Sequence, residues 1–327
     1  MSAPPPLDFV RRSGLARDGE DPRFEALSGG VSSDIWRVDL ASGPVCVKRA
    51  LARLRVAELW EAPIERNRYE RRWMEIAARA APGAAPAVLA GDDAAGLFAM
   101  QYVDYPVWKE RLRRGEADPA FAARVGATLA CIHAATARNE DIARQFPTDA
   151  IFYAIRLEPY LVATGEKHPD LRQALLHLAE RTAATKLALV HGDVSPKNIL
   201  VAPHGPVFLD AECAWYGDPA FDLAFCLNHM LLKSVWVPQA RDGFLHCFDA
   251  LAHQYLSRVT WEAPAALEER AATLLPGLLL ARIDGKSPVE YLDEAARARV
   301  RNAARSLIFL NKKTLGEVKS AWQKSST

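Results

Sequence analysis

The chain carries two kinds of hydrophobic pattern, and the change between them falls near residue 104. Before that point, apolar residues alternate or cluster in short runs at 35–40, 45–48 and 97–103, which predicts β-strands. After it, apolar residues recur every three or four positions, as in residues 120–136, which predicts helices. The order of these elements predicts an α+β protein whose strands come first and whose helices follow.

We therefore divide the chain into an N-terminal lobe, residues 1–103, and a mainly helical C-terminal lobe, residues 104–327. Residues 1–22 contain three consecutive prolines and a polar stretch, so we expect a loosely attached lead-in. The polar tail, residues 312–327, is expected to fray. Pro276, followed by Gly277, is expected to kink or split the helix predicted around it.

The most informative stretch is residues 187–222, where short apolar runs end on acidic and amide side chains. The first run delivers His191 and Asp193 to a loop, and Asn198 follows five positions after Asp193. Two further runs are joined by a turn rich in Gly and Pro, which predicts a hairpin ending on Asp210. The pattern therefore brings Asp193, Asn198 and Asp210 to one site.

These three side chains suit phosphoryl transfer from a nucleotide. A carboxylate can orient and deprotonate a hydroxyl, while an amide oxygen and a second carboxylate hold magnesium on the phosphates. Protein kinases divide the work in this way, between a loop Asp, an Asn after a four-residue gap and a later Asp. The same order of residues predicts a kinase here.

The segments HGDVSPKN and LDAECAWYGDPAFDLA resemble the aminoglycoside phosphotransferase and choline kinase-like superfamily of small-molecule kinases. The resemblance implies a bilobal, protein-kinase-like fold with a small antiparallel sheet in the first lobe. It implies that Asp193 is the catalytic base, that Asn198 and Asp210 hold Mg²⁺, and that Asp222 supports the catalytic loop. Glu212 lies two residues along the same extended segment as Asp210, so it is a further candidate ligand for the metal.

The nucleotide would be ATP, bound by residues of the first lobe. A Gly/Ser loop between two predicted strands fits a flap over the phosphates, since glycine permits close backbone approach. Lys48 ends the next strand, where a phosphate-anchoring lysine belongs, and Glu70 is its expected partner among several nearby glutamates. The chain crossing between the lobes would contact adenine. The predicted nucleotide-binding residues are Ser28, Gly29, Gly30, Ser32, Ser33, Lys48, Glu70, Gln101 and Val103.

The acceptor would be a small molecule that presents a hydroxyl group to Asp193. Polar residues on otherwise apolar helices are the candidates for binding it, chiefly Arg156, Asn228, Arg282 and Asp284, with Glu158, His229 and Lys233 nearby. From residue 226 onward basic residues outnumber acidic ones, which disfavours a polycationic antibiotic. We therefore expect a neutral or anionic metabolite such as a sugar-like alcohol; the alternative is an aminoglycoside.

Charge and cysteine content narrow the setting of this activity. The formal net charge is +1, so nothing indicates a nucleic-acid partner. No apolar run approaches the length of a membrane span, and no secretory signal is evident. Five cysteines without metal-ligand spacing are typical of a cytoplasmic protein with reduced thiols. The sequence does not determine the oligomeric state.

Two other interpretations compete with a small-molecule kinase. A protein kinase is disfavoured because no Ala-Pro-Glu motif or long activation segment follows Asp210; Gly217, Asp218 and Pro219 come instead. A catalytically dead nucleotide-binding regulator would typically lack the base, the lysine or a metal ligand. All of these are present, so an active enzyme is the favoured interpretation.

Overall fold

The N-terminal lobe is a five-stranded antiparallel sheet with one helix on each of its faces. The computed structural model describes residues 5–27, 33–52 and 63–325. The strands lie in the order β1-β2-β3-β5-β4. The elements are α1 (Leu7–Arg12), β1 (Arg23–Ala26), β2 (Ser33–Leu40), β3 (Gly43–Ala50), α2 (Arg66–Ala80), β4 (Val88–Asp92) and β5 (Leu97–Gln101).

The two faces of the central strand β3 have different neighbours. Val45 and Val47 belong to a cluster that includes Phe9 and Val10 of α1. Cys46, on the opposite face, packs into the main core with α2 and the helical lobe. Because side chains alternate along a strand, Lys48 points to the same side as Cys46, toward the second lobe.

The lead-in is more firmly attached than the sequence suggested. Within residues 1–22, α1 buries Phe9 and Val10 against the sheet. Its charged residues, Asp8 among them, dominate the local composition and disguise this short apolar contact.

The C-terminal lobe is mainly helical, with two small two-stranded sheets at its centre. β6 pairs with β9, and β7 pairs with β8, both antiparallel. The helices before these sheets are α3 (Trp108–Arg113), α4 (Pro119–Thr136), α5 (Glu140–Gln145), α6 (Asp149–Phe152), a π-helical segment (Tyr153–Val162), α7 (Ala163–Lys167) and α8 (Arg172–Ala184). The strands are β6 (Ala188–Val190), β7 (Ile199–Ala202), β8 (Gly205–Phe208) and β9 (Trp215–Gly217). The hairpin predicted from residues 199–209 is therefore confirmed as β7–β8.

The remaining helices surround α9 (Pro219–Trp236), whose side chains are almost all buried. They are α10 (Arg241–Leu256), α11 (Pro264–Asp284), α12 (Glu294–Leu310) and α13 (Leu315–Ser325). The N-terminus of α9 is well defined, because the carboxylate of Asp218 accepts the amide hydrogen of Ala220 as an N-cap and Pro219 occupies the first helical position. This fixes where Asp222, one turn later, points.

Two local expectations can be compared with the structure. Pro276 does not split α11, which runs through it as one helix, and Gly277 lets this helix approach Leu161 and Leu178 so closely that an added Cβ would lie 3.1 Å from each. The described part of the tail does not fray, because α13 buries Leu315, Val318 and Trp322. These three residues form an apolar stripe at helical spacing within a polar sequence.

The predicted bilobal, protein-kinase-like α+β fold is confirmed by this arrangement of an antiparallel sheet followed by a helical lobe. Within the three described ranges, no helix combines the length and the apolar character that crossing a membrane requires.

Candidate active site

The loop that carries Asp193 is held in place by the carboxylate of Asp222. Oδ2 of Asp222 accepts the amide hydrogen of His191 at 2.7 Å, and Oδ1 accepts that of Gly192 at 2.8 Å. His133 lies 3.2 Å from the same Oδ2, and its other ring nitrogen lies 2.7 Å from the hydroxyl of Tyr255. Asp222 is fully buried, so these bonds satisfy a charge that water does not reach. This is the supporting role that the resemblance implied for Asp222.

His191 fixes the loop from the other side. Its Nδ1 accepts the amide hydrogen of Asp193 at 3.1 Å, so Nε2 carries the proton and donates to the carbonyl of Leu209 at 3.1 Å. Burial lowers the pKa of His191, which agrees with a neutral ring in this position. The position between His191 and Asp193 requires glycine, since Gly192 has φ +79° and an added Cβ would lie 2.7 Å from Cys213.

The carboxylate of Asp193 faces two cations. Nη2 of Arg156 lies 3.0 Å from its Oδ2, and Nζ of Lys197 lies 3.2 Å from the same atom. Burial alone would raise the pKa of Asp193, but Lys197 and Arg156 outweigh it and hold that pKa well below its usual range. Arg156 also donates to the carbonyl of Gly192, so it binds both the loop and the carboxylate.

Across the cleft, Lys48 joins the sheet to the second lobe. Its ammonium group is 2% exposed and lies 2.8 Å from the carboxylate of Glu70 in α2. It also contacts the carboxylate of Asp210. Burial disfavours the charged amine, but Asp210 and Glu70 outweigh this and raise the pKa of Lys48. Burial raises the pKa of Glu70 to about 7, although Lys48 opposes the shift. Of the glutamates considered, Glu70 is the one that pairs with Lys48 in the described ranges.

Asp210 occupies an unusual backbone conformation at the end of the hairpin. Its φ is +65°, the left-handed region that few residues other than glycine adopt. Such conformations cluster at functional sites, where the surrounding structure holds them. Burial alone would raise the pKa of Asp210, but Lys48 and Lys197 outweigh it and lower that pKa. The carboxylate is therefore anionic and directed into the cleft beside Lys48.

The donor set at this edge of the cleft fits magnesium only with help from a nucleotide. Nδ2 of Asn198 donates to the carbonyl of Asp193 at 3.1 Å, which fixes the orientation of the amide. Among the described residues, no group of three or more His, Cys, Asp and Glu side chains gathers to hold a metal ion. Mg²⁺ prefers few protein oxygens and keeps water and phosphate ligands, so the oxygens of Asn198 and Asp210 suit it.

Glu212 is held by a buried arginine. Nε of Arg66 lies 3.0 Å from Oε2 of Glu212, and Arg66 also donates to the carbonyls of Pro63 and Leu51 at 2.9 and 2.7 Å. Arg66 lies one helical turn before Glu70, so α2 contacts the segment 210–212 twice. One contact runs through Lys48 and the other through Glu212.

The residues expected to bind the nucleotide are only partly within the described ranges. Ser28, Gly29, Gly30 and Ser32 lie outside them. Ser33 pairs with Ala50 at the start of β2, and its hydroxyl is buried. Gln101 ends β5 with its side chain exposed, and Val103 packs on an apolar patch formed by Leu200, Ala202 and Val207. This patch lies next to the segment that crosses between the lobes, because the backbones of Val107 and Leu200 form an antiparallel β-bridge.

The four acceptor candidates are in different surroundings. Arg156 is bound to Asp193, as described above. Asp284 is engaged by Arg301 at 2.7 and 2.8 Å and by His168 at 2.9 Å, so its carboxylate joins helices rather than standing free. Asn228 is fully buried, and neither its oxygen nor its nitrogen has a hydrogen-bond partner among the described residues. Arg282 donates to the hydroxyl of Tyr160 at 3.2 Å and to Ser287.

Sequence reasoning missed two residues that the fold brings against candidate residues, Lys197 beside Asp193 and Tyr291 beside Lys233. Lys197 lies inside the HGDVSPKN motif, immediately before Asn198, and its position four residues after Asp193 could have suggested the contact. Tyr291 lies in the segment between α11 and α12, where no periodic pattern marks it; its ring packs against Trp236, with centroids 4.3 Å apart.

Comparison with known proteins identifies similar sequences and folds. A curated relative, the methylthioribose kinase of Pectobacterium atrosepticum, is 27% identical over 224 residues, which cover 59% of this chain and 55% of that protein. The chain thus spans about half the length of this relative.

Solved structures with low sequence identity share the fold. An ethanolamine kinase from Plasmodium vivax superposes with a TM-score of 0.56 at 12% identity, covering 95% of this chain and 87% of that one. An aminoglycoside phosphotransferase from Alicyclobacillus acidocaldarius gives 0.54 at 14% identity, covering 99% and 98%. The sequence profile of the Phosphotransferase enzyme family matches residues 23–267, three-quarters of the chain. The chain therefore belongs to the Phosphotransferase enzyme family.

Proposed function

We propose that this protein transfers the γ-phosphate of ATP to a hydroxyl group of a small, sugar-like molecule. The observation that carries the proposal is the placement of Asp193, on a loop fixed by Asp222, opposite the Lys48–Glu70–Asp210 cluster. One side of the cleft thus offers a base for a hydroxyl, and the other offers a cation and oxygen ligands for phosphates.

In the proposed reaction, the acceptor oxygen attacks the γ-phosphorus while the bond from that phosphorus to the bridging oxygen of ADP breaks. The hydroxyl proton passes to Asp193. Because Arg156 and Lys197 lower the pKa of Asp193, this carboxylate is a weak base whose main contribution is to orient the hydroxyl. A weak base suits a loose transition state, in which the proton leaves late.

Lys48 is the residue we assign to the α- and β-phosphates. Glu70 holds the ammonium group of Lys48, which also contacts Asp210 of the second lobe. The ammonium group therefore lies between the lobes, where we expect the phosphates to bind. Asn198 and Asp210 would hold Mg²⁺, with Glu212 beside them; the ion neutralises charge on the phosphates when bound. The ion pair between Arg66 and Glu212 would hold α2 against the segment 210–212.

The adenine ring would lie at the crossing between the lobes. We assign its contacts to the backbone of residues 101–103 and to the apolar patch of Leu200, Val207 and Leu209 with Val103 and Val107. The Gly/Ser flap, with Ser28, Gly29, Gly30, Ser32 and Ser33, would cover the phosphates. These assignments follow from the order of the motifs and from the position of Lys48 on β3.

A neutral or anionic alcohol is favoured over an aminoglycoside because of the charges around the cleft. The carboxylates expected to attract a cation are already engaged, Glu158 by Lys286 at 2.6 Å and Asp284 by Arg301 at 2.7 Å. The relative's name, methylthioribose kinase, supports a sugar with free hydroxyls as the acceptor class. A cytoplasmic setting is part of the proposal, since all five cysteines are in described ranges and none is in a disulfide.

The test is an ADP-release assay with ATP and Mg²⁺ against a panel of pentoses, methylthioribose, sugar acids and aminoglycosides. We expect acceptor-dependent ADP release that falls about 100-fold or more in Asp193→Asn, the scale of general-base catalysis. ATP affinity should stay within about twofold, because Asp193 faces the acceptor. Acceptor-dependent turnover that is the same in Asp193→Asn would remove Asp193 from the mechanism.

A further inference from the structure

A buried lysine lies in the helical lobe, on the same face of α9 as Phe225 and His229. Lys233 is 1% exposed. Its ammonium group lies 3.6 Å from the centre of the Tyr291 ring and 4.1 Å from that of Trp236. No carboxylate in the described ranges forms an ion pair with it. Aromatic faces attract a cation, but a ring is a weaker hydrogen-bond acceptor for its N–H groups than an oxyanion is.

Neighbouring side chains add further unpartnered polar atoms. Nε2 of His229, Nε of Arg282 and the hydroxyl of Tyr291 are buried and have no hydrogen-bond partner among the described residues. His229 and Lys233 lie four residues apart on α9, and burial together with the charges of Arg282 and Lys233 lowers the pKa of His229. We call Lys233, Arg282, His229 and Tyr291 the basic cluster. Three separate elements supply it, namely α9, the end of α11 and the segment before α12.

The nearest acidic residues do not neutralise the basic cluster by direct contact. Glu290 is engaged by Lys109 at 2.6 Å, and Glu110 by Arg113 at 2.9 Å. Asp284, two residues after Arg282, is held by Arg301 and His168. The cluster therefore presents several hydrogen-bond donors and a net positive potential. Unpaired buried polar groups are costly, so their accumulation at one place indicates a ligand.

Two aromatic rings connect the basic cluster to the catalytic loop. The guanidinium of Arg156, which binds Asp193, lies 5.7 Å from the ring centre of Tyr160 and 5.8 Å from that of Phe225. On their other side, the hydroxyl of Tyr160 accepts a hydrogen bond from Arg282, and Phe225 packs on His229 with centroids 5.4 Å apart. Asp193 and Lys197 also act electrostatically on His229. A single aromatic ring, Tyr160 or Phe225, therefore lies between Arg156, which binds Asp193, and a residue of the basic cluster.

We propose that the basic cluster binds an oxyanion, a carboxylate or a phosphate, on the same small molecule whose hydroxyl group is presented to Asp193. This inference rests on the proposed function, and it narrows the acceptor from a sugar-like alcohol to a sugar acid or a sugar phosphate. Lys233 and Arg282 provide the charge, and the hydroxyl of Tyr291 and Nε2 of His229 provide the remaining hydrogen bonds. An anion also offers acceptor oxygens to the N–H groups of Lys233.

The protonation of Lys233 agrees with this assignment. Burial lowers the pKa of Lys233 to about 6, helped by Lys109 and Arg282 and opposed by Glu290 and Glu110. The amine is then mostly neutral at pH 7.5, and an oxyanion beside it favours its charged form. Binding therefore takes up a proton, so the affinity for an oxyanion should be higher at pH 6 than at pH 8.

The test is equilibrium binding by titration calorimetry without ATP, using the full chain and three matched probes: ribose, ribonate and ribose 5-phosphate. We expect at least one of the two anions to bind more tightly than ribose, and Lys233→Met to weaken that anion roughly tenfold or more, the scale of charge-assisted hydrogen bonds. Arg282→Gln should weaken the binding of this anion as well. The second variant keeps the test informative if Lys233→Met fails to fold. Comparing ribonate with ribose 5-phosphate shows which oxyanion is preferred.

The matched control is Lys313→Met, which removes an exposed lysine that is ion-paired with Glu269 at 2.9 Å. It should leave the binding of all three probes unchanged, since it alters net charge without touching the basic cluster. If neither anion binds better than ribose, or if folded Lys233→Met and Arg282→Gln bind the anions as the wild type does, the oxyanion site is excluded. Phosphorylation of neutral sugars that depends on Asp193 would then still support the proposed function. If the anions still bind but no acceptor is phosphorylated, the proposed function is excluded and the oxyanion site is retained.

Discussion

Arg156 and Asp193 form a buried ion pair, with Nη2 of the arginine 3.0 Å from Oδ2 of the aspartate. The pair joins the π-helical segment to the catalytic loop, and the same arginine donates to the carbonyl of Gly192. A π-helical turn is rare and occurs mostly at functional sites, since it shifts the register of the side chains that follow. Arg156 is thereby directed at Asp193, and its role in binding the acceptor stays a prediction.

The pH dependence of turnover should reveal the second cation at Asp193. Lys197 lies 3.2 Å from Oδ2 of Asp193 and helps to hold its pKa well below the usual range. In the wild type, ionisation of Asp193 should therefore not limit turnover above about pH 4, the ordinary value for this residue. In Lys197→Met the pKa of Asp193 rises, because burial is less opposed, and the acid limb of kcat should move up by about one pH unit.

The measurement is kcat by ADP release from about pH 3 to pH 8 at saturating substrates, because the acid limb of the wild type lies below the ordinary pKa of an aspartate near 4. Lys186→Met is a suitable control, since Lys186 is an exposed lysine that is ion-paired with Asp149, and it should leave the profile in place. An unchanged acid limb in Lys197→Met would mean that Arg156 alone sets the pKa of Asp193, or that ionisation of Asp193 does not limit kcat.

Removing Lys48 should destabilise the fold, and more so at high pH. Lys48→Met leaves Glu70, which is 1% exposed, without the cation that opposes its burial. Glu70 already has its pKa raised to about 7, and the substitution raises it further. The folded variant then binds a proton that the unfolded chain releases above about pH 4.3. Its stability therefore falls as pH rises through this window.

Urea denaturation at pH 5.5 and pH 8 measures this difference. Breaking a buried ion pair from one side costs about 3 kcal/mol or more, and we expect that loss at pH 8 with a smaller one at pH 5.5. Lys48→Met combined with Glu70→Gln should recover much of it at pH 8, because the fully buried carboxylate of Glu70 is then replaced by a neutral amide. Equal losses at both pH values would show that Glu70 stays ionised with the help of other groups.

The catalytic motif was predictable from sequence because its residues lie within one continuous stretch. Asp193, Asn198 and Asp210 are connected by two short strands and a turn, so local patterning places them together. The pairing of Lys48 with Glu70 was chosen from several nearby glutamates, because Glu70 follows Tyr69 of the apolar stripe and aligns best with the family pattern; the structure pairs these two residues. The fold class followed from the same local signals.

The acceptor side could not be derived in this way, since its residues come from distant segments. Lys233, Arg282 and Tyr291 are brought together only by the packing of α9 against α11 and the segment that follows. The sequence indicated polar residues on apolar helices but could not show that Asp284 faces Arg301 while Arg282, two residues earlier, faces Tyr160. The helix in the tail was missed because polar residues surround its apolar stripe.

Magnesium dependence should be sensitive to Asp210. Removing the carboxylate in Asp210→Ala leaves Asn198 as the main protein oxygen for the ion, and Mg²⁺ binds through few protein ligands. We expect ATP to bind the wild type more tightly with Mg²⁺ than with EDTA, and this difference to shrink about tenfold in the variant. Calorimetric titration of a non-hydrolysable ATP analogue measures both. The same Mg²⁺ effect in Asp210→Ala would exclude Asp210 as a ligand.

Lys233 should also be a source of pH-dependent instability in the free protein. Its pKa is lowered from about 10.5 to about 6 in the folded chain, chiefly by burial. Between these values the unfolded chain holds a proton that the folded chain does not, so wild-type stability rises with pH. Lys233→Met removes this term and keeps an unbranched side chain against Trp236 and Tyr291. The variant should therefore be more stable than the wild type at pH 7, and its advantage should shrink as pH rises.

The expected change is up to about 1.4 kcal/mol per pH unit between pH 6.5 and pH 9.5, the limit for one proton. Urea denaturation of wild type and Lys233→Met at pH 7 and pH 9 measures it, with Lys313→Met as the exposed control that should show no such slope. A bound oxyanion restores the charge of Lys233, so a saturating anion should stabilise the wild type more than the variant. If Lys233→Met is less stable than the wild type at pH 7, the amine is charged in the free protein and its contacts with the two rings outweigh its burial.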